Sequence, residues 1–204
     1  MSGLLADVTL LDIGLLILRL TVGLLVAGHG AQKLFGWFGG YGVGGTGGFF
    51  ETMGFRPGHR WALLAGACEF GGGLLTALGL LNPLGPICAL AVMVMATARA
   101  HWGRPIWVTE GGAELPVVNM AAFLGLALAG PGVFSLDYLL LTTLSAGAAM
   151  VIAAVGAIAT IVGIAHSSAN ASGAARPEPD GQQRVSEPVA MASEVEDRHP
   201  TNAA

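Results

Sequence analysis

An arginine placed inside a long apolar run restricts this chain more than any other feature. Residues 11–38 read LDIGLLILRLTVGLLVAGHGAQKLFGWF, with Arg19 within the run and His29 and Lys33 toward its far end. About 20 such residues cross a bilayer core of roughly 30 Å. At about 1.5 Å per residue, Arg19 lies about 12 Å beneath the first membrane face, where an unpaired guanidinium costs a few kcal/mol. It therefore needs a partner. At 100° per residue, Arg19, Gly23, Val26, Gly30 and Lys33 fall within about 40° of one line, so charges and small residues share a face that looks into protein.

Composition agrees with a membrane setting. Hydrophobic residues make up 53% of the 204, charged residues 11%, and mean hydropathy is +0.68, which excludes an ordinary soluble domain. The 9 Lys and Arg residues argue against nucleic-acid binding. The net charge of -4 is partly made by the C-terminal tail, where acidic residues outnumber arginines. The first ten residues carry no Lys or Arg, and the apolar run after them is too long for the core of a cleaved signal peptide.

Taken in order, the chain predicts a first helix over about 11–35, then a glycine-rich and aromatic interfacial loop over 36–60. Within that loop Thr46 is expected to cap a short amphipathic helix presenting Phe49, Phe50 and Met53. Gly42-Val43-Gly44-Gly45-Thr46-Gly47 satisfies G-x-G-x-x-G, but a membrane helix precedes it where the dinucleotide motif requires a strand. A second helix, 61–81, carries Glu69 with Ala65 and Gly73 at four-residue spacing. Asn82-Pro83 reverses the chain into a third, 84–101, and a fourth runs from Pro116 to about 130 with Asn119 in its first turns. A short surface connector, 133–137, leads to a fifth over about 140–165.

The architecture expected is all-α: a polytopic membrane helical bundle with a four-helix core over 1–138, an additional transmembrane helix over 139–165 and a disordered tail over 166–204. The tail is poor in large apolar residues and cannot offset its chain entropy. Cys68 and Cys88 both fall within membrane helices, about 14 Å apart along the normal by the helical rise, too far for a disulfide.

Lys33, Arg56, Arg60, Arg99 and Arg104 share one side of this topology, so the positive-inside rule places the N-terminus outside and the C-terminus in the cytoplasm of a multi-pass protein. Glu69 then lies about 12 Å beneath the cytoplasmic face, with His29, Lys33, Arg99, His101 and Asn119 near that face. Arg19 and Arg99 compete as partners for its carboxylate, and the sequence leaves the choice open. Intramembrane ionisable groups mark functional sites as well as helix contacts, and here they could do either. Neither His29 nor His101 belongs to a ligand-spaced cluster, which argues against haem or a bound metal.

The order Arg19, His29-Gly30, Lys33, Phe35, then Glu69-Phe70-Gly71-Gly72-Gly73, Gly79, Ala100-His101, Glu114, and finally Gly130-Pro131-Gly132 with Ser135-Leu136-Asp137 resembles the DoxX family of small bacterial membrane proteins. The resemblance covers about residues 12–138. It implies a four-helix integral membrane core tied to redox chemistry at the plasma membrane. Members are related to the DoxD subunit of thiosulfate:quinone oxidoreductase, and others assemble with a superoxide dismutase and a thiosulfate sulfurtransferase in thiol balance under oxidative stress. The fifth helix and tail depart from that pattern, and an exposed cysteine pair for thiol exchange is missing.

Three functions follow as expectations. One is a subunit of an oxidoreductase complex with no catalytic motif of its own, in which Arg19, His29, Lys33, Arg99 and Asn119 bind a quinone headgroup or small anion while Glu69 and His101 handle protons. Another is a scaffold docking soluble redox enzymes. The last is a transporter of a small solute or protons. Lipid is a partner in each case, and self-association is left open.

Overall fold

The structure, a computed structural model, describes residues 8–142 and 144–174; of the tail expected to be disordered, 166–204, residues 166–174 are helical and 175–204 lie outside the described residues. The described residues form an all-α membrane bundle of seven α-helices: α1 Leu10–Phe35, α2 Gly42–Thr52, α3 Gly58–Leu78, α4 Leu84–Ala100, α5 Glu114–Ala129, α6 Leu136–Leu140 and α7 Ala146–Ala174. Three of them, α1, α3 and α7, are long and apolar enough to cross a membrane. The 17-residue α4 and 16-residue α5 rise about 25 Å each and are short, apolar members of the same bundle.

Local chemistry sets the ends of these helices. The Thr9 side chain accepts the Asp12 N–H while the Asp12 carboxylate returns to the Thr9 N–H, a reciprocal cap that starts α1. At the end of α3, Gly79 adopts the left-handed conformation, φ 62°, so that its N–H reaches the Thr76 carbonyl and the Leu80 N–H reaches Leu75. Glycine takes that geometry without a side-chain clash. This stop falls three residues before the end predicted from sequence, at Leu81.

α1 and α3 run antiparallel and pack backbone on backbone. A methyl on Gly23 would sit 2.7 Å from the Gly73 carbonyl oxygen, and one on Gly30 would sit 2.7 Å from the Phe70 Cα. Small residues at these crossings allow close approach, which is how helices associate where lipid is as apolar as the side chains. Val22 and Val26 from α1, Ala89, Val92 and Met93 from α4, and Phe123 and Leu126 from α5 form the apolar core. Phe123 is fully enclosed.

Three local expectations change. Thr46 does not cap α2; the helix begins at Gly42, and Thr46 is buried in its second turn. The glycines that argued for a loop instead let α2 lie against α3, where Gly47 and Gly58 meet without intervening side chains. The connector 133–137 is not a surface segment, because Ser135 and Asp137 are buried. Asp137 draws α6 onto the α3–α4 turn by accepting the Leu81 and Asn82 N–H groups, each at 2.8 Å. Finally, α7 begins at Ala146 and continues nine residues past the predicted stop at Ala165, held by polar contacts at its far end.

Candidate functional site

Glu69 is the deepest acidic group in the α1–α3 interface, 3% exposed, and its partner is Lys33. The Lys33 ammonium meets the carboxylate at 2.5 Å. Neither candidate favoured by the sequence is the partner. The α1 backbone presses on α3 at Gly30 and Phe70, and Gly66 leaves room for the Lys33 stem: a methyl there would stand 3.3 Å from the Lys33 Cβ. Lys33 thus turns inward along the interface, its side chain 23% exposed, where a lysine at a helix end commonly reaches outward to the headgroups.

Arg19 is held at the other end of the bundle, with its Nε left without a hydrogen-bond partner among the described residues. Its guanidinium donates to the Pro131 carbonyl at 2.6 Å and to the Phe134 carbonyl, and the side chain is 2% exposed. Arg99 donates to the Met53 carbonyl at 2.9 Å and to the Ser168 hydroxyl at 3.1 Å, joining α4 to the α2–α3 connection and to α7. His101 pairs through Nδ1 with the Gly111 carbonyl at 2.8 Å. Asn119 is half-buried on α5 and joins none of these groups. Of the predicted convergence, the structure therefore brings Lys33 to Glu69, with His29 one turn away on α1. Depth along the bilayer normal had placed the other groups near Glu69, but depth says nothing about their position around the bundle.

On its other side Lys33 faces a cavity of about 580 Å³ between α1 and α2. Gln32, Lys33, Tyr41, Thr46, Phe49 and Phe50 line it together with Gly39, Gly40 and Gly45. Gln32 is held in place at both ends of its amide, with Oε1 3.0 Å from His29 Nδ1 and Nε2 donating to the Phe38 carbonyl at 3.2 Å. His29 itself is exposed and contributes through Gln32. Tyr41, Thr46, Phe49 and Phe50 were legible only as interfacial aromatics and a cap, since nothing in their spacing says that α2 folds back over the end of α1.

Residues 14–102 match the family model described as DoxX. This segment is a DoxX domain. The matched segment runs from α1 through α4 and contains Lys33, Glu69 and every residue lining the α1–α2 cavity. It stops short of α5, α6 and α7, so the connector that receives Arg19 and the helix that receives Arg99 lie outside it. Neither a curated protein nor a solved structure matches the chain significantly. The DoxX domain and the apolar helices make this an integral membrane protein in contact with the lipid bilayer.

Proposed function

We propose that this DoxX protein is a membrane subunit of an oxidoreductase assembly and that the α1–α2 cavity binds the headgroup of a quinone. The observation that carries this reading is the cavity itself. It holds one ammonium group, tethered to a buried carboxylate, beside an amide, a phenol and the rings of Phe49 and Phe50. A volume of about 580 Å³ is within the usual range for small-molecule sites, and flat aromatic faces with a few fixed polar groups suit a planar ring bearing carbonyls. The residues present thus fit such a group. When bound, a quinone would supply two-electron acceptance; the protein's part is to hold Lys33 toward a carbonyl oxygen, with Glu69 fixing the ammonium and His29 fixing Gln32. A small anion would use the same ammonium.

On this reading the end of the bundle bearing Lys33, Arg56, Arg60, Arg99 and Arg104 is cytoplasmic, with the N-terminus outside, and soluble redox enzymes such as a superoxide dismutase or a sulfurtransferase would dock there. The absence of Lys and Arg from the turns around Asn82 and Asp137 supports that orientation. The test uses the whole protein in liposomes with a short-tailed quinone, following quenching of tryptophan fluorescence. Glu69→Gln frees the ammonium from its anchor and is expected to weaken binding at least about tenfold, the equivalent of roughly 1.4 kcal/mol. Unchanged binding in a variant that still inserts would remove the site.

A further inference from the structure

We propose that the C-terminal end of α7 latches the α1–α2 cavity from outside, with Asn170 and His166 as positioning residues that act through the α2–α3 connection. The inference rests on the reading of that cavity as a binding site and names what sets its shape. α2 supplies one cavity wall, and its end is closed by the connection itself. The Gly54 N–H reaches the Glu51 carbonyl and the Phe55 N–H reaches that of Phe50, with Gly54 in the left-handed conformation, φ 88°. Such a turn commits its N–H groups to the helix and leaves its own carbonyls to be received from elsewhere.

Three of those carbonyls meet side chains from later in the chain. Arg99 of α4 donates to Met53 at 2.9 Å, Asn170 Nδ2 of α7 donates to Gly54 at 3.0 Å, and His166 Nε2 of α7 lies 3.1 Å from the Arg56 carbonyl. Arg99 also reaches the Ser168 hydroxyl, which ties α4 to the same turns of α7. The approach is so close that a methyl on Gly54 would overlap the Ser167 carbonyl, and Ser167 is wholly enclosed. A second path runs through rings. Phe50, which lines the cavity, lies 5.7 Å from Phe55, Phe55 lies 5.1 Å from Trp61, and Trp61 stacks on His166 at 5.7 Å and 29°. α7 therefore holds both the backbone that ends α2 and the rings that back Phe50. Val151, Val155, Ile158 and Val162 of α7 are exposed, so its fixing falls to its contact with α4 and to these polar last turns. α7 lies outside the matched DoxX segment, so the latch is an addition to that domain. Released from it, α2 would carry Tyr41, Thr46, Phe49 and Phe50 away from Gln32 and Lys33 on α1.

The experiment places the full chain in liposomes and measures amide exchange by peptide mass alongside binding of a short-tailed quinone. Asn170→Leu keeps the side-chain bulk but removes the donor to Gly54. It should speed exchange across 42–55 about fivefold, the effect of one ordinary hydrogen bond, and raise the quinone Kd by a similar factor. Exchange across 85–95 of α4 should not change. Asn170→Gln restores the donor and should recover most of both effects, while Val155→Thr, on the lipid-facing part of α7, should alter neither. Unchanged exchange in an Asn170→Leu chain that still inserts, equal loosening of α4, or faster exchange with an unchanged Kd would each overturn the latch. Absence of quinone binding by the unaltered chain would remove the quinone reading alone, because exchange at α2 still decides whether α7 holds it.

Discussion

Replacing Lys33 by Met removes the one cation that, among the described residues, meets the Glu69 carboxylate and leaves an uncompensated charge inside the bundle. Deleting one partner of a buried ion pair typically costs about 3–5 kcal/mol. Here the Glu69 side chain is 4% exposed but that of Lys33 is 23% exposed, so part of the attraction is already screened and the lower limit, about 3 kcal/mol, applies. For a chain of this size 1 kcal/mol moves Tm by about 2–4 °C, so Lys33→Met should lower it by about 6–12 °C. Lys33→Met with Glu69→Gln removes both charges and should recover much of that loss, giving a coupling of about 1–3 kcal/mol. Thermal unfolding in mild detergent, followed by tryptophan fluorescence, supplies all four corners of the cycle. Single and double variants whose effects add to within about 0.5 kcal/mol would refute a pairwise interaction, since independent sites add to that tolerance.

Two further outcomes test the packing. Gly30→Ala should destabilise by about 1–3 kcal/mol in chemical unfolding, because its methyl would meet the Phe70 backbone, while Gly14→Ala, with nothing within 4 Å, should be neutral or slightly stabilising. Asp137→Ala strips the buried, charged acceptor from the Leu81 and Asn82 N–H groups and from the Thr142 hydroxyl, at about 1.5–3 kcal/mol for a hydrogen bond to a charged group. It should release the α3–α4 turn, seen as faster amide exchange at Leu81 and Asn82.

Long apolar runs with clear punctuation were legible. α1 and α4 match their expected spans to within a residue or two because Gly36 and Asn82-Pro83 are strong breaks. The glycines around Thr46 misled in the opposite direction: read as breakers, they lie within α2, where Gly47 is the contact point with α3, and helix propensity gives way to packing. The polar Ser135 and Asp137 looked like surface residues; the N–H groups of a turn about 55 residues earlier explain the burial of Asp137, while Ser135 caps α6 through the Tyr138 N–H. At the candidate site, Glu69 and Lys33 were both visible as intramembrane and helix-end charges, yet their pairing was not. The arithmetic followed backbone depth and gave arginine a long reach, but left out the lysine stem and the angular position of each helix.

Arg19 carries an implication for the order of assembly during synthesis. It lies in α1, whereas the carbonyls that accept from it come 112 and 115 residues later in the chain. At about 5–20 residues per second, translation separates the charge from its acceptors by about 6–22 s. Throughout that interval the guanidinium has no protein partner at bilayer depth, so α1 must wait near water or at the insertion machinery until residues 131–134 emerge. α1 is thus made well before the connector that seals it into the bundle.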